Sequence, residues 1–288
     1  MYTTYWNLRA SPFLNADDEG YLYPSEQLQE GVARLFYLID QERIAGMVTG
    51  PYGVGKSFLL TCLVRRARKL RLPLIRFDAI PQGGLPMARH ILRQIGVEED
   101  PPTLADALMR MQQRCMEAGR GLSRTILLID EAQYLAEGDG LYLVHFLCNL
   151  RIRSDAGEKP LFTIVLSGTP PLARSVEGYE SLRRRIQLAW VLEPLSAQQT
   201  IEYVQQRVRA AGGDIWTFSL EALDAVHRYS GGIPRSINNL CDTALMLGYA
   251  AGAGAVTPDI VREAAEDTGL AADPGPLPSV PAQQDPAT

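Results

Sequence analysis

One eight-residue segment constrains the fold of this chain more than any other part of it. It reads Gly50-Pro-Tyr-Gly-Val-Gly-Lys-Ser57 and fits the pattern G-x-x-x-x-G-K-[ST] in full. An apolar run at Ile44–Thr49 precedes it, and a helical pattern that begins at Phe58 follows it. Glycines in such a turn let backbone N–H groups surround phosphate oxygens, and the N-terminus of the next helix favours an anion. The sequence therefore predicts a phosphate-binding turn between a buried strand and a helix.

Two side chains of this turn have distinct expected roles. Lys56 is expected to reach the β- and γ-phosphates of ATP, and the hydroxyl of Ser57 is expected to bind Mg²⁺. The alternative is a glycine-rich strand–helix turn with a chance lysine, which the matching strand and helix on both sides disfavour. The residues expected to bind the nucleotide here are Gly50, Pro51, Tyr52, Gly53, Val54, Gly55, Lys56, Ser57 and Phe58.

A second segment ends an apolar run in two adjacent carboxylates, Asp130 and Glu131, after Thr125-Ile-Leu-Leu-Ile. Burying charge is costly, and a metal ion would compensate for it. We expect Asp130 to orient the Mg²⁺ shell and Glu131 to polarise the attacking water. Many strands end in an acidic residue at an exposed loop, but the combination with an upstream phosphate turn indicates nucleoside-triphosphate hydrolysis.

Short apolar runs alternate with amphipathic stretches over most of the chain. This alternation is typical of an α/β fold in which helices cover both faces of a parallel sheet. We predict five parallel strands, and hence a P-loop nucleotide-binding domain over residues 1–194. The expected strands are Ile44–Thr49, Leu74–Asp78, Thr125–Asp130, Phe162–Ser167 and Leu188–Leu192.

After Pro194 the strand pattern stops and helix-start signals recur. Ser196 and Gln199 form a capping-box pattern, Ser219 is a candidate cap, and Pro234 and Pro258 suit first helical turns. An earlier helix is predicted behind Ser25. We therefore expect a small all-α lid domain over residues 195–268. The proline-rich residues 269–288 have little to bury, which predicts a disordered tail.

Composition limits the possible environments and partners. The net charge of −5 argues against a general nucleic-acid coat. The four cysteines are scattered and form no CxxC pair, so neither a disulfide framework nor a zinc site is expected. The N-terminus lacks a signal-peptide pattern, and no run approaches the roughly 18 apolar residues of a membrane span. We expect a cytoplasmic protein without a membrane span.

Other polar residues are candidates for the same site. Ser167, at the end of the fourth strand, would hold the lytic water, with Thr169 as second choice, although an ordinary strand exit is equally compatible. Arg183, Arg184 and Arg185 form a run that is either a solvated face or a source of a phosphate-contacting arginine. Arg235 follows Pro234 in a first helical turn, where a cation opposes the helix dipole and needs an external anion.

Taken together, these residues resemble the AAA+ ATPases, and more narrowly the ExeA/GspA/MshM-like group of secretion and type IV pilus systems. The resemblance extends over roughly residues 1–268. The motifs similar to that group are Tyr5-Trp-Asn-Leu8 with Ser11-Pro-Phe13, Asp130-Glu-Ala-Gln133, Leu182-Arg-Arg-Arg-Ile186, and Gly232-Ile-Pro-Arg-Ser-Ile-Asn238.

The resemblance implies further roles. Arg235, with Pro234 beside it at the nucleotide, would be the second sensor. Arg185 would be an arginine finger that acts on a neighbouring subunit, with Arg183 next in rank and Arg184 also open. A ring or filament of identical subunits is implied, which drives or gates a protein partner in a secretion or pilus machine.

Two alternative functions remain open. Transposition regulators of the TniB/TnsC kind share this architecture, so a DNA-bound ATP switch is the first alternative. The basic run Arg65, Arg66, Arg68, Lys69 and Arg71 would serve it, although such residues near a helix C-terminus are more often a solvated face. The second alternative is a scaffold that binds ATP but hydrolyses it poorly, and the intact Glu131 argues against it.

Overall fold

The computed structural model describes residues 2–14, 23–117, 123–154 and 157–270. The predicted disordered tail therefore lies outside the described residues, apart from its first two positions. The helices and strands, in chain order, are α1 (Tyr2–Tyr5), α2 (Glu26–Asp40), β1 (Ala45–Thr49), α3 (Lys56–Lys69), β2 (Leu74–Asp78), α4 (Gly84–Gln94), α5 (Leu104–Glu117), β3 (Thr125–Asp130), α6 (Gly140–Leu147), β4 (Arg151–Ser154), β5 (Gly157–Pro160), β6 (Phe162–Gly168), α7 (Pro170–Glu177), α8 (Glu180–Arg183), β7 (Ile186–Val191), α9 (Ala197–Ala210), α10 (Leu220–Ser230), α11 (Pro234–Ala250) and α12 (Pro258–Asp267). Short 3₁₀ helices occur at Ala132–Ala136 and Ile215–Thr217.

These elements form two compact units. Pro24–Glu193 is the sheet unit, and the described residues up to Tyr23 and from Pro194 form the helical unit. The sheet unit thus begins at Pro24 and not at the expected residue 1, since the described residues before Pro24 pack with the helices that follow residue 194. Trp6 shows why: it is buried, and its indole Nε1 donates a 2.9 Å hydrogen bond to the carbonyl of Leu245 on α11.

The sheet unit contains the predicted five-stranded parallel sheet, with strand order β2-β3-β6-β1-β7. All positions of β1, β3 and β6 are buried, because these central strands are covered on both faces. The α/β fold with a parallel sheet is therefore confirmed. The two outer strands, β2 and β7, expose alternate residues instead.

The strand boundaries differ from the predicted ones mainly at β7. This strand begins at Ile186, two residues before the predicted start at Leu188, and it ends at Val191. Its residues alternate between partly buried and exposed, with Val191 56% exposed, which is typical of an edge strand. Because the strand has no continuous apolar run, its first residues carry no clear strand signal.

A two-stranded antiparallel hairpin, β4 and β5, was absent from the predicted strands. Its second strand reads Gly-Glu-Lys-Pro, which carries neither an apolar run nor β-branched residues. Its backbone pairing therefore depends on the position of the hairpin between α6 and β6 rather than on strand propensity.

The helical unit begins its helices at the predicted residues. The Ser196 hydroxyl accepts from the backbone N–H of Gln199, whose side chain accepts from the N–H of Ser196, so the capping box is present. Ser219 caps α10, and Pro234 and Pro258 occupy the first turns of α11 and α12. In the sheet unit, Ser25 caps α2 as predicted.

Candidate functional site

The turn between β1 and α3 has the geometry of a phosphate-binding loop. Gly53 and Gly55 have φ values of 79° and 114°, in the left-handed region that favours glycine. A Cβ at Gly50 would collide with the carbonyl oxygen of Leu192. A Cβ at Gly55, in contrast, would meet no heavy atom of the described chain within 4 Å, so the space beside the start of α3 is open.

Lys56 lies inside this loop rather than in solvent. The residue is 7% exposed, and its ammonium donates hydrogen bonds of 2.9 Å to the carbonyl oxygens of Gly50 and Pro51. The ammonium also lies 5.6 Å from the centre of the Tyr52 ring. The loop therefore holds a buried positive charge at its centre, next to backbone N–H groups of a helix N-terminus.

Asp130 ends β3 and faces the same loop. Its Oδ1 accepts hydrogen bonds from the Ser167 hydroxyl at 2.8 Å and from the Glu131 N–H at 3.0 Å. Its Oδ2 accepts from the Ser57 hydroxyl at 3.3 Å. Hydroxyl and carboxylate oxygens are ligands that Mg²⁺ prefers. Ser57 and Asp130 thus fit a Mg²⁺ ion that also binds nucleotide phosphates.

A cation that the sequence analysis missed also lies at Asp130. The Arg76 guanidinium on β2 comes within 3.7 Å of Asp130 Oδ2. Strand pairing brings them together: Arg76 is level with Leu128 and Asp78 with Asp130 in the register of β2 and β3. A charged residue within the apolar segment of β2 indicated that Arg76 needs a partner. It did not identify the carboxylate that this side chain would contact.

Glu131 follows Asp130 in an unusual backbone conformation. Its φ of 49° and ψ of 33° lie in the left-handed region, which a non-glycine residue adopts at a cost of about 1–3 kcal/mol. Such conformations concentrate at functional sites. This one begins the 3₁₀ helix Ala132–Ala136 and turns the chain sharply at the carboxyl end of β3.

Gln133 connects three parts of the site. Its amide Nε2 donates to Glu131 Oε2 at 2.6 Å and to the Tyr52 hydroxyl at 3.2 Å. Its Oε1 accepts from the Thr169 N–H at 3.1 Å, which fixes the orientation of the amide. The pKa of the Tyr52 hydroxyl is raised, first by desolvation and then by the negative charge of Glu131. The sequence motif contained Gln133, but no spacing in the sequence predicted these contacts.

The two candidates for holding the lytic water have different surroundings. Ser167 is fully buried, and its hydroxyl is used in the hydrogen bond to Asp130. Thr169 precedes α7 and contributes its backbone N–H to Gln133. The geometry therefore favours a supporting role for Ser167 behind Asp130 over the expected contact with water.

The three consecutive arginines also differ. Arg183 lies 3.7 Å from Glu177, and Arg184 pairs with Glu180 one turn earlier. Arg185 has no carboxylate within 4 Å in the described ranges of the chain. Burial lowers the pKa of His145, and the positive charge of Arg185 lowers it further, so Arg185 lies near His145.

Two other predicted groups belong to helices α11 and α3. Arg235 is exposed in the first turn of α11, in the helical unit, beside Pro234. In the basic run, Arg66 pairs with Asp40 at 2.9 Å and lies over the Phe36 ring. The exposed members of that run are Arg68, Lys69 and Arg71, at the C-terminal end of α3.

Comparison with known proteins agrees with this site. Residues 39–176, which contain the phosphate loop, Asp130 and Glu131, match the family model described as an AAA domain. General secretion pathway protein A of Aeromonas hydrophila is 32% identical over 276 residues, which is 94% of this chain. The chain therefore contains a segment that matches an AAA domain, and it is similar to a GspA protein. It spans about half the length (49%) of that curated relative.

The fold of this chain also occurs in distant solved structures. The Aeropyrum pernix ORC2 protein in its ADPNP–ADP complexes matches 87% of the chain and 70% of its own, with a TM-score of 0.61 and 18% identity. Drosophila ORC bound to DNA matches 90% of the chain and 64% of its own, with a TM-score of 0.66 and 19% identity. At these identities the likeness establishes a shared fold alone. Over the described ranges, no helix is both long and apolar enough to cross a bilayer.

Proposed function

We propose that this protein binds ATP with Mg²⁺ at the loop between β1 and α3 and hydrolyses it to ADP and phosphate. The observation that carries the proposal is the convergence of Ser57 and Asp130 oxygens, 3.3 Å apart, beside the loop that encloses the Lys56 ammonium. A phosphate chain and its cation would meet complementary groups there. Phosphoryl transfer depends mostly on such positioning and charge neutralisation.

Each side chain has a definite task in this proposal. Mg²⁺, when bound, neutralises phosphate charge and orients the β- and γ-phosphate oxygens. Lys56 exchanges its bonds to the Gly50 and Pro51 carbonyls for bonds to phosphate. Ser167 and the Glu131 N–H hold Asp130 Oδ1, which leaves Oδ2 directed toward Ser57. Glu131 accepts the proton of the attacking water, because Gln133 connects its carboxylate to Tyr52 in the phosphate loop.

The test compares nucleotide binding and phosphate release in the wild type and in Lys56→Ala. The expected result is loss of ATP binding, since the variant lacks the cation that meets the terminal phosphates. Lys69→Ala removes an exposed lysine of the same helix and is the matched control. Wild-type turnover by a folded Lys56→Ala protein would refute the site. Binding without turnover in the wild type would instead favour the poorly hydrolysing scaffold.

The similarity to a secretion protein supports a proposal about the wider function. We propose that the protein acts in the cytoplasm as a ring or filament of identical subunits that drives or gates a secretion machine, as the name of its Aeromonas relative suggests. Arg185, unlike Arg183 and Arg184, has a guanidinium without a carboxylate neighbour among the described residues, which suits an arginine finger for the next subunit. Sedimentation with and without ADPNP and MgCl₂ tests assembly. A monomer under all conditions would contradict it.

One observation favours a second candidate, a DNA-bound ATP switch. Arg68, Lys69 and Arg71 are exposed together at the end of α3, and such clusters contact phosphates of nucleic acid. The test measures ATP turnover with and without duplex DNA at two salt concentrations. Stimulation by DNA that falls with salt, and that is lost in Arg68→Ala with Lys69→Ala, would support the switch. Equal turnover with and without DNA would contradict the switch.

A further inference from the structure

Arg76 shares one face of the sheet with Asp130. Side chains alternate along a strand, and β2 and β3 are parallel with Asp78 level with Asp130. The side chain two residues before Asp78 therefore projects on the same face as Asp130. The Arg76 guanidinium lies 3.7 Å from Asp130 Oδ2, which is an ion pair beyond hydrogen-bond distance.

The two oxygens of Asp130 are in different surroundings. Oδ1 accepts two hydrogen bonds, of 2.8 Å from the Ser167 hydroxyl and 3.0 Å from the Glu131 N–H. Oδ2 accepts the longer bond of 3.3 Å from Ser57 and faces Arg76. Oδ2 is therefore the oxygen that a metal ion shared with Ser57 would use. The guanidinium lies at that same oxygen.

We propose that Arg76 competes with Mg²⁺ for Asp130, an inference that rests on the proposed nucleotide site. Two cations cannot share one carboxylate oxygen without strong repulsion, and the divalent charge doubles that repulsion. The Asp130 side chain is 7% exposed, so water screens this repulsion poorly. The Arg76 side chain is 34% exposed and long, so it can move away at modest cost. Mg²⁺ binding therefore displaces the arginine.

This competition has a specific consequence for the bound nucleotide. Arg76 opposes the metal but attracts phosphate, so it favours metal-free ATP over the Mg²⁺ complex. A neutral residue at position 76 removes that preference. A purely structural role, in which Arg76 only offsets the charges of Asp78 and Asp130, would change stability and leave the metal dependence unchanged.

The experiment titrates MgCl₂ into full-length protein with fluorescent N-methylanthraniloyl-ADPNP, and follows probe anisotropy. The midpoint of the Mg²⁺ dependence is expected to fall about threefold to tenfold in Arg76→Met and Arg76→Gln. Arg76→Lys keeps the charge and should stay near the wild type. Arg93→Met removes an exposed arginine of α4 that pairs with Asp100, and it controls for the change in net charge. In EDTA, the neutral variants should bind the probe equally or more weakly.

The outcomes separate this inference from the proposed function. An unchanged or higher Mg²⁺ midpoint in the neutral variants, with the probe still bound, would overturn the role of Arg76 alone. If Arg76→Met does not fold, Arg76→Gln decides. Wild-type protein that binds no probe with or without MgCl₂ would refute the nucleotide site and this inference with it. Probe binding that does not depend on MgCl₂ would refute both this inference and the metal role of Ser57 and Asp130.

Discussion

The side-chain amide of Gln133 donates a 2.6 Å hydrogen bond to the carboxylate of Glu131. The other end of that amide accepts from the Thr169 N–H, so its orientation is set by the backbone that follows β6. Glu131 itself has a left-handed backbone conformation. The position of this carboxylate is thus determined by two segments of the sheet unit, one after β3 and one after β6.

Gln133→Ala is expected to lower kcat for ATP hydrolysis by about 10- to 100-fold, because a displaced base no longer reaches its water. KM should change less than kcat, since the hydrogen bond of Gln133 to the phosphate loop goes to the exposed Tyr52 hydroxyl. Steady-state kinetics on purified protein measure both constants. Gln133→Asn should retain part of the activity, and Gln113→Ala on α5 is the control. An unchanged kcat in Gln133→Ala would mean that Glu131 needs no such support.

Glu131→Gln is expected to bind ATP normally and to hydrolyse it about 100- to 10,000-fold more slowly, because an amide cannot accept the proton of the water. Phosphate release and probe binding measure the two effects separately. Glu137→Gln changes an exposed glutamate just after the 3₁₀ helix and controls for the lost charge. Full turnover in Glu131→Gln would place the base elsewhere.

Arg185→Ala is expected to bind nucleotide and to lose the rise of specific activity with protein concentration. A trans-acting arginine contributes about 10³- to 10⁵-fold in rate. Mixing Arg185→Ala with Lys56→Ala should partly restore turnover, because some interfaces then join an intact loop to an intact arginine. Arg184→Ala, whose native side chain pairs with Glu180, is the control. If Arg185→Ala alone were fully active, Arg185 would not be the trans-acting arginine. That role would then belong to Arg183, to Arg184 or to no arginine of this run.

Trp6→Ala is expected to destabilise the helical unit by about 3–5 kcal/mol, the usual cost of removing a large buried aromatic side chain. Trp6 is 7% exposed and packs on Gly248, while Trp216 in the same unit is 62% exposed. Trp216→Ala should therefore change stability by less than about 1 kcal/mol. Urea unfolding followed by circular dichroism compares the two. Equal effects of both substitutions would contradict the packing of the N-terminal segment.

Local signals in the sequence predicted the elements that depend on local physics. The turn at Gly50–Ser57, the caps at Ser25, Ser196 and Ser219, and the buried central strands all follow from patterns within a few residues. Edge strand β7 was less well predicted, because half of its side chains face solvent. The hairpin of β4 and β5 was missed, because its second strand has no apolar pattern.

By itself, the sequence determined the α/β fold class with its parallel sheet, the phosphate loop and the adjacent carboxylates Asp130 and Glu131, since each depends on local residue patterns. Only the tertiary structure decided which side chains surround that pair. Arg76 reaches Asp130 through the register of two parallel strands, and Gln133 reaches Tyr52 across 81 positions of the chain. Such contacts depend on strand order and register, which long-range packing sets and which no local spacing in one sequence specifies.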